Sequence, residues 1–207
     1  MQKIPTIFER DWSGDRSRVI DKPHPDCAWV FAGEGLAMRK YDGTACMIHN
    51  GDLFKRREVT QGAPLPSGWV LADRDNETGK VVGWVPVGDG AEDQWHREAL
   101  EVASAVPTSG TYELLGPKVQ GNPERLPRHV LLLHKSAQSF GGVPTDFEGL
   151  KTWLAERDIE GLVWHHPDGR MAKIKLRDFG LKRPRREPVG VGEALRPEPS
   201  NGEHSLK

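Results

Sequence analysis

Two pairs of short apolar runs, each joined by a tight turn, are the clearest pattern in the chain. In the first pair, His49-Asn50-Gly51 separates residues 44–48 from residues 52–59. Asn-Gly between apolar runs is typical of a β-hairpin, because both turn residues accept positive φ angles. The second pair surrounds Pro167-Asp168-Gly169-Arg170 within residues 159–176, and this sequence is also typical of a turn. The pattern therefore predicts two antiparallel hairpins.

Shorter apolar runs and two amphipathic segments complete the predicted secondary structure. The predicted strands are 81–87, 111–115 and 130–133, and the predicted helices are 92–105 and 145–156. Thr145 and Glu148 have capping-box spacing, and either Thr145 or Asp146 is expected to cap the second helix. Prolines interrupt residues 1–36, which are predicted to be irregular. This mixture predicts an α+β fold of twisted antiparallel sheets with flanking helices.

Composition limits the classes of protein to which the chain can belong. It has 207 residues, 36% of them hydrophobic, a net charge of -1 and a mean hydropathy of -0.60. No apolar run approaches the roughly 18 residues that a membrane span needs, and no signal-peptide core follows Met1, so a cytoplasmic location is expected. The chain has only two cysteines, and both are expected to be small, buried apolar side chains. Residues 182–207 hold few large apolar side chains and are predicted to be a disordered tail, which leaves residues 1–181 as one domain.

The candidate chemistry begins at Lys40-Tyr41-Asp42-Gly43, between a short apolar stretch and the first hairpin. A neutral lysine amine can attack the α-phosphate of a nucleotide and hold the nucleoside monophosphate as a phosphoramidate. Because the ordinary pKa of lysine is about 10.4, such a site needs burial or nearby positive charge. The pattern K-x-D-G alone is weak evidence, since roughly one chain in twenty of this length carries it by chance.

Partners for such a lysine occur downstream. Glu160 begins the second hairpin, and Lys173 and Lys175 share one face of its return strand. A further carboxylate, Glu113, lies in the predicted strand 111–115. Taken singly, the two lysines fit a solvated strand face, Glu160 fits a turn after a helix, and Glu113 fits the surface of an edge strand. Together they supply the cations and carboxylates that nucleotide transfer requires.

The order of these motifs resembles motifs I, Ia, III, IV and V of the covalent nucleotidyltransferases, which include polynucleotide ligases and mRNA-capping enzymes. Within that superfamily the chain most resembles small ATP-dependent RNA ligases of the RNA ligase 1 type. The resemblance extends over about residues 36–181. It includes the stretches 83–87, 112–123, 129–134 and 159–165.

The resemblance implies a single nucleotidyltransferase (adenylation) domain and a role for each matching residue. Lys40 is expected to be the adenylated nucleophile, and Glu160 the carboxylate that faces the metal. The nucleotide-binding residues are expected to be Asp42, Arg56, Glu113, Lys173 and Lys175. Arg57 is the alternative to Arg56, because the length of the hairpin leaves one residue of slack. The implied cofactors are ATP and Mg²⁺, with Mn²⁺ as an alternative metal.

The reaction implied is RNA repair by ligation. A lysyl-AMP forms, the AMP passes to an RNA 5′-phosphate, and an RNA 3′-hydroxyl then displaces it. A monomer without membrane contact is expected. The alternatives are a DNA-joining or capping-type enzyme, a catalytically silent relative and an unrelated α+β domain. Residues 176–207 are too few and too polar for the OB domain of DNA ligases and capping enzymes, which argues against the first.

Four features leave assignments open. Many ligases carry an acidic residue just before the lysine, whereas this chain has Met38-Arg39, so no residue predicts the choice of adenine. His134 fits either a ring against the base or a core position. The neighbours His165-His166 point in opposite directions if they lie on a strand, and are interpreted as structural. The basic run 182–186 fits either RNA contact or a solvated tail.

Overall fold

The computed structural model describes residues 4–60, 62–74, 79–103 and 107–184. Antiparallel sheets dominate it, with a few short helices, as the α+β prediction requires. The strands within these residues are β1 (Phe8–Arg10), β2 (Val19–Pro23), β3 (Leu36–Lys40), β4 (Thr44–His49), β5 (Asp52–Val59), β6 (Val70–Arg74), β7 (Val81–Pro86), β8 (Gly110–Leu115), β9 (Val130–Leu133), β10 (Ser139–Phe140), β11 (Gly161–His165) and β12 (Met171–Lys175). The α-helices are α1 (Ala28–Phe31), α2 (Gln94–Glu101) and α3 (Phe147–Ala155).

These strands form two main sheets and a small ribbon. The large sheet has the order β6-β7-β5-β4-β8-β9, the four-stranded sheet has the order β10-β3-β11-β12, and β1 and β2 form a two-stranded ribbon. Both predicted hairpins are confirmed: β4 pairs with β5 around Asn50 and Gly51, whose φ angles are 52° and 90°. The second hairpin joins β11 to β12, with Gly169 at a φ of 96°.

Each main sheet packs its own apolar core on one face. Behind the four-stranded sheet, Leu162, Ile174, Leu150 and Leu154 are fully buried, and the last two come from α3. Burying each leucine side chain contributes about 1.5–3 kcal/mol to stability. Asp146, one of the two predicted caps, begins α3 by accepting the N–H of Gly149 at 2.8 Å. Behind the large sheet, the second core packs against α2.

The N-terminal region is more ordered than the prediction of irregular structure over residues 1–36. Ile7 donates its N–H to Lys173 O at 3.0 Å, and Lys173 donates its own N–H to Pro5 O at 2.9 Å. These bonds place the chain beside β12, where Ile7 and Phe8 are buried. Pro5 takes part through its carbonyl, which proline retains, so the proline does not prevent the pairing. Tertiary contact therefore outweighs local propensity here.

The fold also bears on four smaller expectations from the sequence. Both cysteines, Cys27 and Cys46, are buried free thiols as predicted. Helix α2 is shorter than the predicted 92–105, because Ala91–Asp93 form a 3₁₀ turn and the helix ends at Glu101; residues 104–105 lie outside the described residues. In the described part of the chain, no helix is long and apolar enough to cross a membrane. Of the predicted tail, residues 182–184 are described and the remainder lies outside the described residues.

The K-x-D-G motif is the connection between the two main sheets. Strand β3 of the four-stranded sheet ends at Lys40, and β4 of the large sheet begins at Thr44. The crossing uses only three residues, 41–43. A Cβ at Gly43 would lie 2.3 Å from the carbonyl oxygen of Leu114, so only glycine fits where the chain enters the large sheet. The lysine is thus held at the junction of two packed layers.

Candidate active site

Lys40 and Lys175 lie in one row across three neighbouring strands. Gly161 pairs with Lys40 on one side and with Lys175 on the other. Residues in register on adjacent strands project to the same face, so both lysines leave the same side of the sheet. A Cβ at Gly161 would lie 2.1 Å from the Ile174 carbonyl oxygen, so no side chain can occupy the central position. The row therefore presents two ammonium groups with no side chain between them.

Glu160 forms salt bridges with both ammonium groups. The Nζ of Lys40 lies 2.6 Å from its Oε2, and the Nζ of Lys175 lies 2.7 Å from its Oε1. Burial alone would raise the pKa of Glu160, but the charges and hydrogen bonds of the two lysines outweigh it and the pKa is lowered. The carboxylate therefore stays ionised near neutral pH. The three residues predicted from separate motifs form one cluster.

Lys173 adds positive charge to the same face. It alternates with the buried Ala172 and Ile174, so the predicted face of Lys173 and Lys175 is confirmed. Burial lowers the pKa of Lys173 to about 8, and the charges of Lys175, Lys40 and Arg56 act in the same direction. Such a concentration of cations suits a polyphosphate, whose charge it would neutralise.

Arg56 reaches this region from the large sheet. It lies on β5, and its charge is felt at Lys173 of the opposite sheet. Neighbouring strand residues point to opposite faces, so Arg57 shares the face of Lys55, which pairs with Asp93 at α2. The structure therefore places Arg56, and not Arg57, toward the lysine cluster.

Glu113 fixes the end of the crossing turn. Its Oε1 accepts the N–H of Gly43 at 3.1 Å, and its Oε2 lies 2.9 Å from Nε2 of His134. The other ring nitrogen of His134 lies 3.0 Å from the hydroxyl of Thr111. Glu113 is thus a buried carboxylate with both oxygens engaged. His134, left open between two roles, lies in the site and not in either core.

Asp42 brings a second carboxylate toward Glu160. Burial, and then the charge of Glu160, raise the pKa of Asp42 despite the opposing influence of Lys40 and Lys175. Among the described residues, no group of three or more His, Cys, Asp or Glu side chains is arranged to hold a metal ion. Mg²⁺ usually binds through one or two carboxylates, water and substrate phosphates, so Asp42 and Glu160 fit that mode.

A cavity of about 190 Å³ opens beside Lys40. Its walls are largely apolar and come from both sheets, and they include Lys40, Tyr41, Thr111, His134, Val163, His165 and Met171. His165, interpreted from the sequence as structural, is one of the residues that line this cavity, so it lies beside Lys40 and in neither apolar core. His166 does point away as expected, with its Nδ1 2.7 Å from Asp168. Burial, and then the nearby His134, lower the pKa of His165 and favour a neutral ring.

Sequence reasoning missed a charged network behind the turn. Glu124 accepts a hydrogen bond from Nη2 of Arg39 at 2.6 Å, and one from Nη1 of Arg183 at 2.9 Å. Arg183 also binds Asp158, with 2.6 Å between Nε and Oδ1. Glu124 lies in a proline-flanked loop without periodicity, and Arg183 lies in the predicted tail, so no local signal marks either residue. The network comes from residues far apart in sequence.

Comparisons with known proteins point in one direction. Residues 102–194 match the family model for RNA ligase 1. The chain is 30% identical over 161 residues to RNA ligase 1 of Danio rerio, covering 58% of this chain and 50% of that protein. It is 30% identical over 160 residues to RNA ligase 1 of Mus musculus, covering 57% and 49%. The chain spans about half the length of the curated relatives it matches.

These matches show that the chain is similar to RNA ligase 1 proteins. They confirm the resemblance to the RNA ligase 1 type that the sequence indicates. The family-model match contains Glu113, Glu160, Lys173 and Lys175. It begins after Lys40, so the roles of the K-x-D-G residues depend on the geometry described above.

Proposed function

From this similarity to RNA ligase 1 proteins, we propose that the chain is an ATP-dependent RNA ligase that joins 5′-phosphate and 3′-hydroxyl ends through a lysyl-AMP intermediate. The observation that supports the proposal best is the row of Lys40 and Lys175 on Glu160, beside a cavity and below further cations. The domain is correspondingly proposed to be a nucleotidyltransferase domain with its nucleotide in the cleft between the two main sheets.

In the first step, the neutral amine of Lys40 attacks the α-phosphorus of ATP. An N–P bond forms as the nitrogen releases one proton to solvent, the P–O bond to the β-phosphate breaks, and pyrophosphate leaves. Lys173, Lys175 and Arg56 surround the place where negative charge must be neutralised, and preorganised cations stabilise such charge without reorganisation. The pairing of Lys40 with Glu160 keeps the amine at the site before the nucleotide arrives.

Asp42 and Glu160 are the residues proposed to hold Mg²⁺, with Mn²⁺ as an alternative. When bound, the ion supplies positive charge to the phosphates and to the leaving pyrophosphate. The cavity beside Lys40 is proposed to receive the base, because its apolar walls suit a planar ring and its polar groups occupy the edges. His134 and Thr111 provide such groups.

The remaining steps use the same site. The AMP passes to the 5′-phosphate of an RNA, which forms a phosphoanhydride and frees Lys40. The 3′-hydroxyl of a second end then attacks that phosphate and releases AMP. The substrate is proposed to be RNA because the similar proteins are named RNA ligases.

The test is labelling of the purified protein with ATP carrying radioactive phosphorus at the α- or the γ-position, in the presence of Mg²⁺. We expect label from the α-position only, and none in Lys40→Ala. Lys151→Ala is the matched control, because this lysine lies on α3 and pairs with Glu148 on the surface. Labelling of Lys40→Ala would refute the assignment of the nucleophile.

A second assay separates the enzyme classes. The protein is incubated with ATP or GTP and with 5′-phosphorylated RNA or DNA of matched sequence. RNA joining with ATP is expected. Joining of DNA alone would favour a DNA-joining enzyme, and labelling by GTP alone would favour a capping-type enzyme. Nucleotide binding without any adduct would favour a silent relative.

A further inference from the structure

We infer that Glu124 and Arg183 are positioning residues for the candidate nucleophile. Together they hold one peptide group of the turn after Lys40 in a fixed orientation, and this peptide touches the lysine amine. The role in catalysis rests on the proposed function, whereas the effect on the turn does not.

The peptide group between Tyr41 and Asp42 is the link. Its N–H, which belongs to Asp42, donates to Oε1 of Glu124 at 3.3 Å. Its carbonyl oxygen, which belongs to Tyr41, accepts a hydrogen bond from Nζ of Lys40 at 3.3 Å. The N–H and C=O of a trans peptide point in opposite directions within one plane, so holding the N–H also aims the carbonyl. Glu124 therefore orients the group that contacts the amine.

Glu124 can do this only while its own carboxylate is held. Its side chain is 5% exposed, and a buried charge of this kind is costly unless it is paired. Arg39 pairs with one oxygen, and the guanidinium of Arg183 reaches both, at 2.9 Å and 3.3 Å. Such two-point contact between arginine and a carboxylate fixes orientation as well as distance.

Arg183 is fixed in turn by Asp158. Besides the bond from its Nε to Oδ1, its Nη2 donates to the backbone carbonyl of Asp158 at 2.8 Å. Arg125 pairs with the other carboxylate oxygen, Oδ2, of Asp158. Burial alone would raise the pKa of Asp158, but Arg125 and Arg183 outweigh it and lower the pKa, so this carboxylate is ionised. The guanidinium of Arg183 is thus anchored on one side and meets Glu124 on the other.

The consequence is a connection between the chain beyond Leu181 and the candidate active site. Gly43, at the far end of the turn, is held separately by Glu113. The Tyr41–Asp42 peptide is held by Glu124, so loss of Arg183 should loosen the beginning of the turn and spare its end. This asymmetry distinguishes positioning from general destabilisation.

Arg125 supplies the matched control. Like Arg183, it forms an ion pair with Asp158, and this contact involves neither Glu124 nor the turn. Arg183→Met and Arg125→Gln are therefore compared in the full chain. An effect transmitted through Asp158 alone would appear in both variants, whereas an effect transmitted through Glu124 should appear only in the first.

The first measurement is amide hydrogen exchange at Asp42 and Gly43, which needs no activity. In Arg183→Met we expect faster exchange at Asp42 by about tenfold or more, because the hydrogen bond to a charged carboxylate that protects this amide is weakened. Gly43 should stay within about twofold, and Arg125→Gln should resemble the unmodified protein at both positions. Equal exchange at Asp42 in the two variants would overturn the inference.

The second measurement is the single-turnover rate of lysyl-AMP formation as a function of ATP concentration. We expect the maximal rate in Arg183→Met to fall about tenfold or more while half-saturation changes little, since misplacing a nucleophile impairs reaction more than binding. Arg183→Lys should recover part of the loss by restoring the charge without the two-point contact. A slower reaction without faster exchange at Asp42 would also overturn the inference.

Glu124→Gln provides a second route if Arg183→Met fails to fold. The amide is nearly isosteric but uncharged, so Asp42 exchange should again rise relative to Arg125→Gln. If the unmodified protein forms no lysyl-AMP, the proposed function fails, and the exchange experiment alone then decides whether Glu124 and Arg183 hold the turn.

Discussion

The Nζ of Lys40 lies 2.6 Å from Oε2 of Glu160, a residue 120 positions later in the chain. This ion pair joins the candidate nucleophile to the carboxylate proposed to face the metal. An amine held in this ion pair is well placed but not free to attack, so the proposed reaction would require the pair to be broken when nucleotide and metal bind. The same contact that positions Lys40 would therefore restrain it until then.

Glu160→Gln should abolish this restraint together with the negative charge proposed for metal binding. Lys40 and Lys175 are then left facing each other without an anion. We expect lysyl-AMP formation to fall about 100-fold or more, with a higher Mg²⁺ requirement, because charge stabilisation of this kind is worth several kcal/mol. The rate is measured across a Mg²⁺ titration. Glu148→Gln, on the exposed face of α3, is the control, and equal rates in the two variants would contradict the role of Glu160.

Arg56 and Arg57 offer a matched pair on opposite faces of one strand. Arg56 faces the lysine cluster, and Arg57 faces the side of the sheet where Lys55 pairs with Asp93. Arg56→Gln should weaken ATP binding or slow adenylation by about tenfold, the usual size of one charge-assisted phosphate contact. Arg57→Gln should stay within about twofold. The half-saturating ATP concentration and maximal rate are compared in both, and the reverse order would restore Arg57 as the functional arginine.

The lowered pKa of Lys173, about 8, predicts that ATP binding is linked to protons. Above pH 8 this amine is mostly neutral in the free protein. Nearby phosphates favour its charged form and raise the pKa, so ATP binding should take up protons above pH 8 and affinity should fall as pH rises further. Calorimetry at pH 7 and pH 8.5, in buffers with different ionisation enthalpies, measures this uptake.

Lys173→Met is the reference for that experiment. It retains an unbranched side chain of similar length and removes the titrating amine, so proton uptake between pH 8 and pH 9 should disappear. Unchanged uptake in this variant would assign the linkage to another group.

The two hairpins and the charged residues on them could be predicted from local pattern. Asn50-Gly51 fixes its turn through positive φ, and the alternation around Ile174 fixes the face of Lys173 and Lys175. Glu113 was also a candidate, because it is a carboxylate within a short, mostly apolar run that forms β8. These features depend on neighbours in sequence, which a single chain displays directly.

The supporting contacts could not be predicted, because they join distant segments. Glu124 meets Arg183 across 59 positions, and both residues lie in segments without periodicity. His165 was interpreted as structural because its neighbour, His166, could not share a metal with it. The strand does direct them apart, but that argument did not show which histidine would line the cavity. Only the pairing of β11 within the sheet decides which of the two histidines lies at the cavity.

Gly43, the glycine of the K-x-D-G motif, should be required for a stable fold, independently of any part in the chemistry. At Gly43 a Cβ would lie 2.3 Å from the Leu114 carbonyl oxygen, a backbone atom that cannot move without breaking the pairing of β4 and β8. Gly43→Ala is therefore expected to lower the free energy of unfolding by about 1–3 kcal/mol. At Gly141 no atom lies within 4 Å of the added Cβ and no positive φ opposes it, so Gly141→Ala should change stability by less than about 0.5 kcal/mol. Urea denaturation of both variants measures the difference. Equal stabilities would mean that the turn can move aside, and the motif glycine would then have to be explained by nucleotide contact instead of packing.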